Sequence, residues 1–326
     1  MSAVTPLLVV QDLRVVLPTA HGPAEALRGV SFQMARGDTL GLIGESGCGK
    51  SMTALALMGL LPHGAAVSGQ IHFEGQALVG APEPTLCRLR GNRMAMVFQE
   101  PMTALNPLQT IGDQVAEALR LHRGLSRRAG RAEALRLLDR VQLPQAAQRL
   151  DAYPHQLSGG QRQRVMIAAA LSCGPDLLIA DEPTTALDVT LQQDILALLG
   201  RLVSESGMGL LLISHDLAVM ARTVQRVLVM YAGVGVDSGP TDEVFAHLAH
   251  PYTRGLFSAR PQLGGARGQR LATIPGRVPA LHERLSGCAF AERCGRADAA
   301  CRAARPGPVP VGPGHTVDCL HPHAPG

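Results

Sequence analysis

The stretch DTLGLIGESGCGKSMTALALMGLL, residues 38–61, decides the fold of this chain. Its first six residues form a short apolar run typical of a buried strand, and the run from Met52 onward is typical of a helix. Between them, residues 44–51 fit the pattern G-x-x-x-x-G-K-[ST]. A strand, a glycine-rich loop and a helix in this order predict a phosphate-binding loop.

The residue types of this loop suit a nucleotide. Glycines let backbone N–H groups converge on phosphate oxygens at a helix N-terminus, where the helix dipole favours anions. Lys50, the only lysine in the chain, is expected to bind the same oxygens, and the Ser51 hydroxyl to bind Mg²⁺. A plain glycine-rich turn is the alternative, but a chance match is on the order of one in a thousand. The predicted ATP-binding residues are Gly44, Glu45, Ser46, Gly47, Cys48, Gly49, Lys50, Ser51 and Met52.

A second apolar run, LLIADE at residues 177–182, ends in two carboxylates. A strand that delivers an acid to the sheet edge is the usual partner of a phosphate loop. Asp181 is therefore expected to hold Mg²⁺ through water, and Glu182 to act as the general base on an attacking water. Two further apolar runs suit buried strands of a parallel sheet and are closed by a glutamine and a histidine. The predicted catalytic residues are Glu182, His215 and Gln99, and the predicted Mg²⁺ ligands are Ser51, Gln99 and Asp181.

The composition is that of a globular protein without a strong charge. The chain has 326 residues, 46% of them hydrophobic, which is enough for a sizeable core, and a formal net charge of +4. Such a mild charge does not by itself call for nucleic acid or a membrane surface. The N-terminal sequence lacks the features of a signal peptide, and no apolar run approaches the ~18 residues of a spanning helix. We expect a cytosolic protein.

The order of the motifs resembles that of the ABC ATPases. The sequence LSGGQ is similar to the signature motif of that family, and ALD to its D-loop. Gln99 takes the place of the Q-loop glutamine, and His215 that of the switch histidine. The predicted signature residues are Leu157, Ser158, Gly159, Gly160 and Gln161, and the predicted D-loop residues are Ala186, Leu187 and Asp188.

The resemblance implies an α/β fold with an ABC-type P-loop NTPase core. Such a core has a RecA-like sheet and an antiparallel β subdomain, and it is joined here by an α-helical subdomain and a cysteine-bearing C-terminal extension. Residues 1–98 and 161–255 are expected to form the two parts of the core, 99–160 the helical subdomain that ends in the signature, and 256–326 the extension. The helical subdomain is rich in arginine, but interspersed acids favour a solvated helix face over a nucleic-acid surface.

The residue types of the signature are those expected at an anion-binding helix start. Ser158 is placed to cap the following helix, and Gly159 and Gly160 leave backbone N–H groups bare, which makes a second anion site. The resemblance implies that this site binds the nucleotide held on the phosphate loop of a partner ATPase subunit. ATP would then close a head-to-tail dimer, and hydrolysis would reopen it.

Several longer segments resemble the ATPases of dipeptide, oligopeptide and nickel importers, among them VFQEPMTALNP, HPYTRGLF and TIPGRVP. This resemblance implies a peripheral subunit at the cytoplasmic face of the cell membrane that powers peptide import. Its partners would be a second, non-identical ATPase subunit, two transmembrane permease subunits and an extracytoplasmic binding protein, with no nucleic acid.

Three alternatives to a peptide importer stay open. The first is the same role for nickel or another small solute, because the solute is recognised by other subunits. The second is a soluble ABC ATPase that acts on nucleic acid, against which the single phosphate loop and single signature argue. The third is a subunit that binds ATP without hydrolysing it. Lys50, Glu182 and His215 are all present, so a competent hydrolytic site is predicted.

Two positions depart from the pattern of many relatives. Near the N-terminus, where an aromatic ring often stacks on adenine, this chain offers Leu17 and no aromatic residue. Cys48 stands in the phosphate loop where serine is frequent. A neutral substitution is the simpler interpretation, but a thiol beside a helix N-terminus can have a lowered pKa. We therefore hypothesise that alkylation of Cys48 blocks ATP binding and that ATP protects the thiol.

Four of the seven cysteines lie in the last 39 residues, with the spacing C-x5-C-x6-C-x17-C. A reducing cytosol disfavours disulfides, and the pairs of closely spaced cysteines usual for structural zinc are missing. Four thiolates in a loop-rich tail suit a [4Fe–4S] cluster, and the resemblance implies such a site for at least some relatives. Zinc, with help from His315 or His321, and no metal are the alternatives. The predicted cluster ligands are Cys288, Cys294, Cys301 and Cys319.

Overall fold

The computed structural model describes residues 6–185, 187–259, 273–283 and 285–324. These residues form two compact units. The first unit comprises the described residues of Met1–Leu8, Gln33–Thr39 and His72–Ile213, and the second those of Val9–Phe32, Leu40–Ile71 and Ser214–Gly326. This grouping differs from the four sequence ranges given above, which stay a prediction.

Twelve strands are present in the described residues. They are β1 (Leu8–Thr19), β2 (Gly22–Met34), β3 (Thr39–Ile43), β4 (Ala66–Phe73), β5 (Gln76–Ala77), β6 (Met94–Val97), β7 (Leu177–Asp181), β8 (Gly209–Ile213), β9 (Arg226–Tyr231), β10 (Val234–Pro240), β11 (Val309–Gly312) and β12 (His315–Val317).

Twelve α-helices accompany these strands in the same parts of the chain. They are α1 (Lys50–Met58), α2 (Glu83–Leu89), α3 (Pro101–Ala104), α4 (Ile111–Arg123), α5 (Arg127–Arg140), α6 (Ala146–Arg149), α7 (Gly159–Leu171), α8 (Val189–Ser206), α9 (Leu217–Thr223), α10 (Thr241–His247), α11 (Pro251–Ser258) and α12 (Ala299–Ala303). Short 3₁₀ turns lie at Pro154–Gln156 and Ala291–Arg293.

The first unit contains three parallel strands, β6, β7 and β8, with β7 in the middle. Leu178 is in register with Ala95 on one side and with Leu210 on the other. Every residue of these strands is buried, as expected for continuous apolar runs in a parallel sheet. The prediction of buried parallel strands is confirmed, and β7 delivers Asp181 at its carboxyl end.

The second unit pairs β3 with β9 in parallel, with Leu42 opposite Leu228. β9 continues antiparallel into β10, and β10 pairs with β12 from the C-terminal tail, where Asp237 is opposite Val317. The apolar pattern of this tail is sparse, but its strands β11 and β12 pair with each other and extend the ladder of β10.

A separate four-stranded sheet has the order β2-β1-β4-β5. Its last pair is antiparallel, with His72 opposite Ala77. The helices α3 to α6 and the start of α7 lie between β6 and β7 in the chain, within the stretch predicted to be helical. Across the described ranges, no helix combines the length and the apolarity that crossing a bilayer requires.

Candidate functional site

The glycine-rich loop closes around a buried ammonium group. Lys50 opens α1 and is 6% exposed. Its Nζ donates to the carbonyl oxygens of Gly44, at 2.7 Å, and Glu45, at 3.0 Å. The N-cap of the helix, Gly49, has φ +107°, a conformation that L side chains rarely adopt. A lysine and backbone N–H groups therefore meet at one helix N-terminus, as the sequence predicts.

Gly44 shows why this loop cannot carry a side chain at its start. A Cβ there would lie 2.2 Å from the carbonyl oxygen of Met230, the penultimate residue of β9, and 2.6 Å from Cys48 Sγ. The loop is thus packed directly against strand backbone. Ser46, Gly47 and Ser51 are exposed, so these loop positions are accessible to a ligand.

Cys48 does not have the environment expected from the sequence. Its side chain is fully buried, and this burial raises the pKa of the thiol, with Lys50 opposing the shift. The hypothesis of a lowered pKa is therefore wrong, because desolvation of the thiolate exceeds the effect of the nearby ammonium.

Glu45 is held by residues that the motif analysis did not identify. Its carboxylate accepts two hydrogen bonds from Arg293, from one terminal nitrogen to Oε2 at 2.6 Å and from the other to Oε1 at 3.1 Å. Its backbone N–H donates to the Tyr252 hydroxyl at 2.8 Å. Arg293 belongs to the cysteine-rich tail and Tyr252 to the segment HPYTRGLF. No local sequence pattern indicates such pairs, because their partners lie more than 200 positions away.

In the first unit, the structure brings Gln99 and Glu182 together. Gln99 Nε2 donates to Glu182 Oε2 at 3.1 Å, and the Thr185 hydroxyl donates to the same oxygen at 2.9 Å. Glu182 has φ +45°, which is uncommon for a residue with a side chain and costs conformational energy. Its neighbour Asp181 is buried at the end of β7. The role of Thr185 was not predicted. The only sequence signal for its hydrogen bond to Glu182 is its position three residues later in the chain.

The signature forms a capped helix start. Ser158 Oγ accepts from the Gln161 N–H at 3.4 Å, and Gln161 Oε1 accepts from the Ser158 N–H at 3.1 Å. This reciprocal pair is a capping box. Gly160 has a second reason to be glycine, because a Cβ there would lie 2.3 Å from a methyl carbon of Leu191 on α8. Gly159 is exposed and Leu157 is buried.

The remaining predicted residues lie at element ends. Asp188 caps α8 by accepting from the Leu191 N–H at 3.0 Å, and Leu187 is half-buried beside it. Ala186 lies outside the described residues. His215 is exposed in the connection between β8 and α9, and Met52 is half-buried on α1. Leu17, at the position without an aromatic residue, is half-buried near the end of β1.

The four C-terminal cysteines line one small cavity. All seven cysteines of the chain are free thiols. Burial, together with the neighbouring cysteines Cys288, Cys294 and Cys301, raises the pKa of Cys319 to about 11. Four thiols thus line the same cavity, so this donor set fits a thiolate-bound metal group, whose positive charge would stabilise the thiolates.

One of the two histidines named as zinc candidates stands at this cavity. His321 lines it, and its Nε2 is 2.8 Å from Asp298 Oδ2. Ligand atoms of Asp298, Cys301 and His321 lie within 4.8 Å of one another. His315 is engaged elsewhere, with its Nε2 2.8 Å from Asp237 Oδ1 in a fully buried pair. His315 does not line the cavity of the four cysteines, and its assignment as a zinc ligand stays a prediction.

The arginines of α5 face acids. Arg127 pairs with Asp113 and Arg131 with Asp151. Further along the helix, Arg136 pairs with Glu133 within α5, and Arg140 with an acid of α8. These pairs support a solvated helix face, because paired guanidinium groups leave little net charge for a phosphate backbone.

Two family models match the chain. The ABC transporter family matches residues 27–185, and the oligopeptide/dipeptide transporter C-terminal region matches residues 236–301. A protein of Brucella melitensis described as a peptide import ATP-binding protein is 50% identical over 97% of each chain. A peptide ABC transporter ATP-binding protein of Sinorhizobium fredii is 47% identical over 96% of this chain and 94% of the relative.

Solved structures agree with these matches. A dimeric bacterial ABC transporter cassette superposes with a TM-score of 0.64 at 28% identity, covering 72% of this chain and 98% of that one. A subunit of an ABC transporter complex from Clostridium perfringens has a TM-score of 0.62 at 27% identity, covering 74% and 91%. The predicted fold class is confirmed.

Proposed function

Since the chain belongs to the ABC transporter ATPases, we propose that it is the ATP-hydrolysing subunit of an importer that carries peptides across the cytoplasmic membrane. The observation that supports this proposal is the glycine-rich loop at the head of α1, which surrounds the buried Lys50 ammonium at a helix N-terminus. The relatives described as peptide import ATP-binding proteins support the solute class.

The residues of the phosphate loop bind and orient the triphosphate. Lys50 neutralises phosphate charge, and backbone N–H groups at the start of α1 donate to the phosphate oxygens. We assign Ser51, Gln99 and Asp181 to Mg²⁺, which would neutralise the charge that develops on the phosphates.

Glu182 is the proposed general base. Its carboxylate is held by Gln99 and Thr185 through hydrogen bonds to one oxygen. Two donors on Oε2 help to orient the carboxylate, which is proposed to accept the proton of an attacking water. His215 is assigned a role in the same step only because its position resembles that of the switch histidine of ABC ATPases.

The signature residues 157–161 are proposed to bind the nucleotide of a second ATPase subunit. The capped start of α7 presents the exposed N-terminal N–H groups that an anion requires. A dimer of cassettes is supported by the matched structure described as dimeric. The sequence further predicts that the second ATPase is a non-identical subunit, and the comparisons lend that prediction no support.

The cysteine cavity is proposed to hold a [4Fe–4S] cluster on Cys288, Cys294, Cys301 and Cys319, with zinc as the alternative. The support is the single cavity that the four thiols share. Zinc would draw on His321 and Asp298, whose ligand atoms stand beside Cys301. When bound, the group would cross-link the loops of the tail.

Membrane partners follow from the importer role. Two permease subunits and an extracytoplasmic binding protein are proposed to complete the complex, with this chain as a peripheral subunit at the cytoplasmic face. The permeases and the binding protein would select the solute, so a nickel chelate or another small solute stays the second candidate.

The proposal is tested by reconstitution. The chain is combined with its permeases and binding protein in proteoliposomes, and uptake of a labelled peptide is measured with and without ATP. We expect peptide uptake that depends on ATP. In Lys50→Ala, both peptide uptake and ATP hydrolysis should be lost, since no other lysine of the chain can replace that ammonium group. Uptake of a nickel chelate but no peptide would support the second candidate, and stable retention of RNA or DNA during purification would contradict an importer.

A further inference from the structure

The tail arginine Arg293 reaches into the phosphate loop with all of its donors engaged. Its side chain is 5% exposed. Besides the two bonds to Glu45, Nε donates to the Pro275 carbonyl oxygen at 2.8 Å, and the terminal nitrogens reach the Ile274 carbonyl oxygen and the Tyr231 hydroxyl at 3.3 and 3.4 Å. The five N–H groups of a guanidinium thus have five recorded contacts.

Glu45 is an unexpected residue for this place. A carboxylate beside a loop that receives a polyphosphate repels the ligand, and low local dielectric strengthens that repulsion. Arg293 cancels the charge with a bidentate pair, which is the strongest geometry available to a carboxylate.

Glu45 connects Arg293 to Lys50. The Arg293 guanidinium holds the Glu45 carboxylate, and the Glu45 carbonyl oxygen accepts from Lys50 Nζ at 3.0 Å. The Tyr252 hydroxyl fixes the Glu45 N–H. Every polar group of Glu45 is therefore held, two of them by residues from the C-terminal part of the chain.

We propose that Arg293 is a positioning residue for the phosphate loop: by neutralising and fixing Glu45, it lets the cysteine-bearing tail set the ATP affinity of the chain. The proposal rests on the proposed ATPase function. It extends that function by making the tail part of the nucleotide site, although no tail residue is required to touch the nucleotide.

The test compares ATP binding and hydrolysis in Arg293→Gln, Glu45→Gln and the double variant. In Arg293→Gln the Glu45 charge is left without its partner, so the Kd and the KM for ATP are expected to rise roughly tenfold, with a smaller change in kcat. The double variant removes the charge as well, and its Kd is expected to be at least about threefold lower than that of Arg293→Gln.

A matched control separates this effect from general damage to the tail. Arg277 pairs with Glu283 at 2.9 Å on the surface of the same tail, and Arg277→Gln removes the same charge there. This control is expected to bind ATP as the wild type does. Arg293→Lys keeps the charge but loses the bidentate fork, and an intermediate Kd is expected. This variant carries the test should Arg293→Gln fail to fold.

Two results would overturn the proposal. One is an ATP Kd for Arg293→Gln within twofold of the wild type. The other is a double variant that binds ATP no better than Arg293→Gln, because a merely structural arginine would lower the thermal midpoint without such a rescue. A wild-type chain that does not bind ATP would instead contradict the proposed ATPase function.

Discussion

Glu182 combines a rare backbone conformation with a carboxylate that accepts hydrogen bonds from Gln99 and Thr185, a combination that suits a residue with a fixed chemical task. Its φ of +45° is compatible with the tight connection after β7, where its N–H donates to the Ile213 carbonyl oxygen at 2.9 Å. Strain of this kind persists only where the surrounding structure enforces it. The strand predicted at residues 177–182 places Glu182 at the sheet edge, but its conformation could not be deduced from the sequence.

Replacing this carboxylate tests the assignment of the general base. Glu182→Gln keeps the shape of the side chain but cannot accept a proton, so ATP turnover is expected to fall by roughly 10²–10⁴-fold while ATP binding is retained. Phosphate release and nucleotide binding measure the two effects separately. Thr185→Ala, which removes one of the two donors to Glu182, is the comparison and is expected to lose much less activity. Near-normal turnover in Glu182→Gln would show that another group is the base.

The cysteines differ in reactivity for a reason that only the structure reveals. The thiolate is the reactive form, and burial raises the pKa of Cys48, whereas Cys87 on α2 is exposed. Iodoacetamide at pH 8 is therefore expected to label Cys87 much faster than Cys48, with or without ATP. Mass spectrometry of the labelled peptides measures both rates. Equal rates, or protection of Cys48 by ATP, would restore the interpretation of a reactive loop thiol.

At the scale of elements, an ion-pair cluster joins the ends of several strands in the first unit. Asp176, just before β7, pairs with Arg36 and Arg93, and both arginines also pair with Glu74. Burial raises the pKa of Asp176, but hydrogen bonds from the two arginines outweigh it, so the pKa lies below the ordinary value of 3.8. The ionised form is thus favoured by folding.

This cluster makes a prediction about stability. Asp176→Asn is expected to lower the free energy of unfolding by about 1–2 kcal/mol at pH 7, because the two arginines lose a partly buried charged partner. The stabilisation is present above pH 3.8 and is lost as the pH falls through the lower folded pKa, so the difference from the wild type should close in acid. Urea unfolding at pH 7 and pH 3 measures it. Asp151→Asn removes an exposed pair and should cost little; equal losses in the two variants would contradict this account.

Strands and helices could be predicted wherever a local sequence pattern indicates them. The buried strands β3, β6, β7, β8 and β9 follow from apolar runs, and the start of α7 from a serine with a glutamine three positions later. The order of the tail was not predictable in this way. Its β12 is fixed by pairing with β10 and by the buried contact of His315 with Asp237, and neither leaves a periodic apolar signal.

At the scale of the whole molecule, the phosphate loop and the cysteine-bearing tail belong to the same compact unit. The sequence motifs do not connect the two segments, since they are far apart in the chain and each has its own residue pattern. The contact between them depends on Arg293, which directly precedes Cys294. A change at the cysteine cavity should therefore alter the affinity of the phosphate loop for ATP.

Cys294→Ser tests this coupling in the full-length protein. The substitution replaces one of the four thiols that line the cavity, so the content of iron or zinc measured by elemental analysis is expected to fall. The KM for ATP is expected to rise in parallel, because a loosened cavity no longer fixes Arg293 against Glu45. Cys87→Ser changes an exposed thiol in the other unit and should alter neither quantity. Loss of metal with an unchanged KM would show that the cavity stabilises the tail without influencing the phosphate loop.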